Sequence, residues 1–325
     1  MPEILRVEAL SVEYRTPDQT VRAVDGVEFA LHEAQTLALL GESGCGKTTV
    51  ALSVLNLLPS AGRVVAGAVH YDGHDVLTMR PQDVRHVRGA QIAMIFQDPI
   101  SGLNPVLTIG TQVEEMVRAH VRTSKSESRR MAAEALRRQG MPDAERVMES
   151  YPFQLSGGMC QRVMIAIATV LRPRVLIADE PTSAVDVTVQ AGILRELDGL
   201  RQHLGVAILL ITHDLGVVAR MADEVAVMYA GRIVEQAPAA QLFAAPRHPY
   251  TAGLFAARPR VDRPDERLRP IRGAPPELSA LDGQCAFLPR CPKAVTACRT
   301  QPWPPLAEVG DGQRAACYNP MLAET

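Results

Sequence analysis

The sequence predicts an α/β fold: a parallel sheet covered by helices, preceded by an N-terminal antiparallel β subdomain, interrupted by an inserted helical subdomain and followed by a small loop-rich C-terminal lobe. Three observations carry this reading. A compact apolar run, Thr36–Leu40, ends in a glycine-rich turn that leads into a helical stretch. Two more apolar runs, Val175–Ala178 and Ala207–Ile211, are separated by a helical stretch, Val187–His203, which is the alternation of a parallel sheet. Between Ile100 and Gly158 the character is helical, so that stretch interrupts the alternation.

Taken in order, residues 4–40 alternate apolar and polar (Leu5, Val7; Val12, Tyr14; Val21, Val24, Val27, Phe29), as short antiparallel strands do. Thr36–Leu40 reads as a buried strand entering a tight turn at Gly41, and Val50–Leu58 as a helix stopped near Pro59. Ser124-Lys-Ser-Glu127 has the form of a capping box, opening a helix that runs to Gly140 ahead of Pro142. The basic stretch at 122–130 is a solvated helix start and not a binding patch. Beyond Ala245 the composition shifts: about half of the 24 prolines fall in the last quarter, so little regular structure is expected there. The boundaries that follow are a main domain at 1–245, with its helical subdomain at about 98–160, and a C-terminal domain at 246–325.

Composition narrows the classes of function. With 34 basic against 36 acidic residues, the chain lacks a broad electrostatic footprint for nucleic acid. Its longest apolar runs, Val163–Leu171 and Val206–Ile211, fall well short of the ~18 residues that a spanning helix needs. The opening MPEILRVEALSVEY is not a signal peptide, so a cytosolic location is expected, with any membrane part supplied by other chains.

The chemistry is concentrated in two segments. Gly41-Glu-Ser43-Gly44-Cys45-Gly46-Lys47-Thr48 fits GxxxxGK(S/T) in full, between a predicted strand and a predicted helix. Its glycines let backbone N–H groups converge on phosphate oxygens, and the helix start, through Thr49, adds its dipole. Lys47 reaches the β- and γ-phosphates and the Thr48 hydroxyl can ligate Mg²⁺. Cys45 is a small loop residue there, without reactive function. Val175-Leu-Ile-Ala-Asp179-Glu180 is an apolar strand ending in a carboxylate pair, which puts Asp179 near the metal and Glu180 where it can polarise an attacking water. Alone, this segment would equally suit a buried strand with a polar end; beside the phosphate loop, the catalytic reading prevails.

Leu155-Ser156-Gly157-Gly158-Met159-Cys160-Gln161-Arg162, about twenty residues before Asp179, resembles the signature motif of ABC ATPases. Physically it is a second anion site, a Ser-Gly-Gly turn opening a helix. The segments FQDPISGLNP, YPFQLSGGMCQR, ADEPTSAVDVTVQ, THDLGVVA and HPYTAGL are similar to the ATPase subunits of dipeptide and oligopeptide importers, and the resemblance covers essentially the whole chain. It implies a P-loop NTPase with a RecA-like parallel sheet that binds ATP and Mg²⁺ and hydrolyses ATP. It further implies that Gln97 touches Mg²⁺ and the water, that Asp186 lies in a loop crossing the dimer interface, that His213 contacts the γ-phosphate, that Tyr14 stacks on adenine (with packing in a strand as the rival reading), and that Ser156 and Gly158 serve the ATP held by the opposite subunit. The partners implied are a paralogous ATPase subunit, two transmembrane permease subunits and an extracytoplasmic substrate-binding protein, with the chain on the cytoplasmic face of the membrane. The implied cargo is peptide; relatives also handle nickel complexes, glutathione and oligosaccharides. Phe153 stands where a His is common and Cys160 where a basic residue is common; neither change removes a phosphate contact. The competing readings, a non-transport ABC ATPase and a non-hydrolysing regulatory module, lack their own marks: there are no long inserts or second cassette, and the Asp179–Glu180 pair is intact.

The last motif is Cys285-x5-Cys291-x6-Cys298-x18-Cys317 in the proline-rich lobe. A small lobe with few apolar residues commonly needs a covalent or metal staple. The spacing fits neither a zinc ribbon nor a bacterial ferredoxin, so the residues alone leave zinc, an iron–sulfur cluster and no metal open. The resemblance implies a 4Fe–4S cluster in a structural or sensing role.

Overall fold

The apolar alternation at the start of the chain produces two long strands, β1 (Glu3–Arg15) and β2 (Thr20–His32), closed by a turn in which the Thr16 amide donates to the Gln19 carbonyl at 2.9 Å. They are longer than the short strands the sequence suggests. Ala9 (φ +45°) and Gly26 (φ +65°) take left-handed backbone inside them, the mark of a bulge, so each strand bends and continues where the alternation slips. The computed structural model describes residues 1–183, 185–257, 270–310 and 312–322.

β3 (Thr36–Leu40) is buried at all five positions, and α1 (Lys47–Val54) follows the phosphate loop. This helix stops earlier than expected because Asn56 adopts a left-handed backbone (φ +50°) before Pro59 is reached. β4 (Gly62–Tyr71) lies beside β1. Then come β5 (His74–Asp75), α2 (Pro81–Val87) and β6 (Ile92–Ile95). The inserted segment holds α3 (Ile109–His120), α4 (Lys125–Arg138), α5 (Ala144–Glu149) and α6 (Gly157–Thr169). β7 (Val175–Asp179), α7 (Val187–Leu204), β8 (Ala207–Thr212), α8 (Leu215–Met221), β9 (Glu224–Tyr229) and β10 (Arg232–Pro238) complete the alternation. The C-terminal part contributes α9 (Ala239–Ala244), α10 (Pro249–Ala256), α11 (Thr296–Thr300), β11 (Ala307–Gly310) and β12 (Gln313–Ala315).

The chain divides into two units. One comprises residues 1–5, 31–36 and 72–211. Its strands β6, β7 and β8 run parallel, with Ile92 opposite Val175 and Val175 opposite Ala207. Each helix of the insertion starts at a side chain that accepts from an early amide: Thr108 from Thr111, Ser124 from Glu127, Asp143 from Arg146 and Ser156 from Met159. The expected box at Ser124 is present in its serine half (3.2 Å), while the Glu127 carboxylate pairs with Arg130. Ile109, Val113, Leu136, Met148 and Val163 form the helical core.

The other unit comprises residues 6–30, 37–71 and 212–325. Here β3 runs parallel to β9, β9 antiparallel to β10, and β10 antiparallel to β12, which also pairs with β11. The proline-rich lobe thus adds two strands to a sheet, more order than its composition suggests. Its core is aromatic: the rings of Tyr229, Tyr250 and Phe287 stand 4.5–5.5 Å apart, buried beside Val225, Val227 and Leu242. Among the described residues no helix is long and apolar enough to cross a membrane.

Candidate active site

Backbone crowding dictates the phosphate loop. A Cβ on Gly41 would stand 2.3 Å from the Met228 carbonyl, and one on Gly46 (φ +108°) 2.5 Å from the Ala23 carbonyl, so neither position tolerates a side chain. Gly44 (φ +79°) needs its left-handed backbone, while Ser43 and Gly44 face solvent. Lys47 is buried, and its Nζ donates to the carbonyls of Gly41 (2.8 Å) and Glu42 (3.0 Å). α1 begins at Gly46 without a side-chain cap and without an acidic residue in its first turn, which leaves its amide donors to a ligand, and Thr48 is exposed at that end. Burial pushes the Cys45 thiol above its ordinary pKa, against the lowering effect of the adjacent Lys47.

Tyr14 reaches the same helix: its hydroxyl lies 3.3 Å from Thr49 Oγ1 and its ring packs on Gly62, where an added Cβ would come within 2.8 Å. His213 follows β8 and is exposed; Asp214 next to it caps α8 through the Gly216 amide (2.7 Å).

In the other unit, Asp179 closes β7 and is 1% exposed. Glu180 takes left-handed backbone (φ +46°), held by its amide on the Ile211 carbonyl (2.8 Å) and by a turn to Ser183. Gln97 Nε2 donates to Glu180 Oε2 at 3.0 Å, so two residues picked from separate motifs meet. Such a bond restrains the orientation of the carboxylate. Ser156 caps α6 by accepting from the Met159 amide (3.3 Å). Asp186 caps α7 by accepting from the Val189 amide (3.0 Å), and a Cβ on Gly158 would stand 3.5 Å from Val189, so the signature turn and the start of α7 are neighbours. Cys160 is buried, with its thiol raised by burial. Phe153 is 74% exposed and stacks on Tyr151 at 5.6 Å.

Cys285, Cys291, Cys298 and Cys317 line one cavity in the lobe, walled in part by Phe287, Leu288 and Pro304. All are free thiols. Burial, reinforced by the neighbouring thiols, raises Cys285 and pushes Cys317 up to about 11. Among the described residues, no three His, Cys, Asp or Glu side chains are grouped so as to hold a metal ion. The donor set is four soft sulfurs in a largely apolar pocket, the chemistry that suits an iron–sulfur cluster.

Motif reading misses Glu42, Tyr229, Tyr250 and Arg290. Tyr250 accepts from the Glu42 amide (3.0 Å), and Arg290 pairs with the Glu42 carboxylate through two nitrogens (2.8 and 3.1 Å). The His248-Pro249-Tyr250 segment is visible in the sequence, but nothing local marks Arg290 as a partner of the loop.

A phosphate loop, a strand-end carboxylate pair with a glutamine bonded to it, and a capped Ser-Gly-Gly turn together define a nucleotide-hydrolysing cassette. Residues 24–183 match the ABC transporter family, and residues 234–298 match the C-terminal region of oligopeptide/dipeptide transporters. The chain is 43% identical to the oligopeptide transport ATP-binding protein OppD of Escherichia coli (strain K12), covering 98% of this chain and 94% of that one. It is 43% identical to the oligopeptide transport ATP-binding protein AppD of Bacillus subtilis (strain 168), covering 98% and 97%. It is 47% identical to a putative peptide import ATP-binding protein of Brucella abortus (strain 2308), covering 97% and 94%. Among solved structures it is similar to a dimeric ATP-binding cassette in a post-hydrolysis state bound to ADP and Pi (25% identity, TM-score 0.66, 73% of this chain and 99% of that one). A second is CbiO1 of Clostridium perfringens, part of an ABC transporter complex (29% identity, TM-score 0.62, 75% and 92%). The chain belongs to the ATP-binding proteins of ABC transporters, in their oligopeptide/dipeptide branch, and is an ATPase.

Proposed function

We propose that this chain is the ATP-hydrolysing subunit of an importer of dipeptides or oligopeptides. The observation that supports the cargo is the match of residues 234–298 to the C-terminal region of oligopeptide/dipeptide transporters. The same architecture would serve an importer of nickel complexes, glutathione or oligosaccharides, because cargo contacts lie in other subunits. The chain works at the cytoplasmic face of the membrane with a paralogous ATPase, two transmembrane permeases and an extracytoplasmic binding protein, and it does not bind nucleic acid. Its domains are 1–245 and 246–325.

Phosphoryl transfer needs positioning and charge stabilisation more than covalent help. Gly41, Ser43, Gly44, Cys45, Gly46 and Thr49 present the loop and helix start to the phosphates, and Lys47 supplies the positive charge. Tyr14 stacks on the adenine. Glu180 accepts the proton of the attacking water, Gln97 orients that carboxylate and the water, and His213 contacts the γ-phosphate. Thr48, Gln97 and Asp179 are the hard oxygen donors that would hold Mg²⁺, which neutralises phosphate charge when bound. Ser156, Gly158 and Asp186 serve the ATP of the facing subunit, so ATP joins two subunits and its cleavage releases them.

The four-cysteine cavity is proposed to hold a 4Fe–4S cluster with a structural or sensing role. The alternatives are no metal and, weaker, zinc, whose paired CxxC ribbon spacing is not present here. Anaerobically purified protein should absorb broadly near about 400 nm and carry four irons per chain; a colourless, iron-free protein of full stability removes the cluster.

The function is tested in the assembled complex, whose ATPase should rise with a peptide-loaded binding protein. Glu180→Gln should bind ATP while hydrolysing it about 10²-fold or more slowly and accumulating closed dimers; normal turnover would show Glu180 is not the base. Lys47→Ala should lose nucleotide binding itself.

A further inference from the structure

Glu42 occupies a position of the phosphate loop on which the GxxxxGK(S/T) pattern places no demand, yet its amide, carbonyl and carboxylate are all engaged. The amide donates to the Tyr250 hydroxyl at 3.0 Å, from 208 residues further along the chain. The carbonyl accepts from Lys47 Nζ at 3.0 Å, the ammonium that must meet the phosphates. The carboxylate takes both terminal nitrogens of Arg290, at 2.8 and 3.1 Å, from 248 residues further along.

Arg290 is itself over-determined. Its side chain is 5% exposed, its Nε donates to the Arg272 carbonyl (3.1 Å), and Nη1 also donates to the Tyr229 hydroxyl (3.3 Å). Its guanidinium lies over the rings of Tyr229 and Phe287, at 5.8 and 5.9 Å. A planar fork on a carboxylate fixes orientation as well as distance, which an ammonium cannot do. Removing one member leaves the other charge poorly solvated and without its partner, so the pair is coupled.

We propose that Arg290, with Tyr250, is a positioning residue for ATP binding: the C-terminal lobe fixes the phosphate loop through Glu42, and Glu42 in turn holds Lys47 at its place. This rests on the reading of Gly41–Thr48 as the nucleotide site. Neither lobe residue touches the nucleotide. Each acts through the main chain and carboxylate of Glu42, so the lobe sets the loop's affinity rather than its chemistry.

The test is Mg·ATP binding to the full-length chain by calorimetry, beside thermal unfolding of each variant. Arg290→Gln should weaken binding roughly tenfold, the equivalent of one charge-assisted bond. Glu42→Gln should match it, and the double variant should be no worse than either single one, because both break the same interaction. Arg290→Lys should recover only part of the loss. Tyr250→Phe keeps the ring packing and deletes only the hydroxyl; it should weaken binding about threefold with little change in melting temperature, and it decides the matter if Arg290→Gln fails to fold. Lys47→Ala serves as the control: wild-type binding by that variant removes the nucleotide-site reading itself. If Lys47→Ala abolishes binding while the Tyr250 and Arg290 variants bind Mg·ATP within about twofold of wild type, the lobe is only a structural support and the proposal falls.

Discussion

Two glycine-rich turns open helices in this chain, and they are built on opposite principles. The phosphate loop before α1 is locked: Cβ atoms at Gly41 and Gly46 would collide with carbonyls at 2.3 and 2.5 Å, its lysine is buried, and its helix starts without a side-chain cap. The turn before α6 is open: a Cβ at Gly157 would meet nothing within 4 Å, one at Gly158 only Val189 at 3.5 Å, and Ser156 caps the helix. The glycines of the first loop are required by its own fold. Among the described residues, nothing crowds the glycines of the second; under the proposed function, that space would receive the ATP of a facing subunit.

The contrast can be broken by giving each turn the side chain it lacks. Gly46→Ala should cost about 3 kcal/mol or more through strain and a backbone collision, seen as a large drop in melting temperature and loss of nucleotide binding. A well-folded, ATP-binding variant would mean that the loop is not locked.

A second prediction concerns the lobe behind the first turn. His248 caps α10 by accepting from the Tyr250 amide at 3.1 Å, and burial holds its pKa at about 3, so the folded ring stays neutral. The unfolded ring titrates at its ordinary value, so stability should fall as pH drops below about 6.5 and reach a loss of about 2 kcal/mol near pH 5. Above that window this group contributes no pH dependence. Melting temperature against pH, for wild type and His248→Asn, isolates the effect as the difference in slope.

The smallest effects belong to the open turn. Ser156→Ala removes a cap and should cost about 1 kcal/mol, whereas Gly157→Ala should change stability by no more than about 0.5 kcal/mol. Both should nonetheless depress the ATPase of the assembled complex. Full activity in Gly157→Ala would show that the open space receives nothing.

The same contrast explains what could be read from the residues. Short-range patterns were legible: β3 is the apolar run before Gly41, β7 and β8 match the two apolar runs to within a residue, and Ser124 caps α4. Gln97 and Glu180 were each legible in their own motif, but the bond between them, at 3.0 Å, was not. Interactions between distant segments left no local trace. The Arg290–Glu42 pair spans 248 residues, and each partner alone is an ordinary charged residue. The pairing of β12 with β10 was hidden for a similar reason, since three residues in a proline-rich lobe carry too little alternation to announce a strand. The early end of α1 was missed because Asn56 breaks the helix through its backbone twist, while the sequence points to Pro59.

The left-handed backbone at Glu180 has a consequence for how this enzyme can change. A non-glycine residue held at φ +46° carries about 1–3 kcal/mol of conformational energy. Glycine at this site would relax the main chain while discarding the carboxylate. If Glu180 is the base proposed above, durability and turnover pull against each other at this one position, and selection for heat resistance alone would drift toward a sturdier, idle protein.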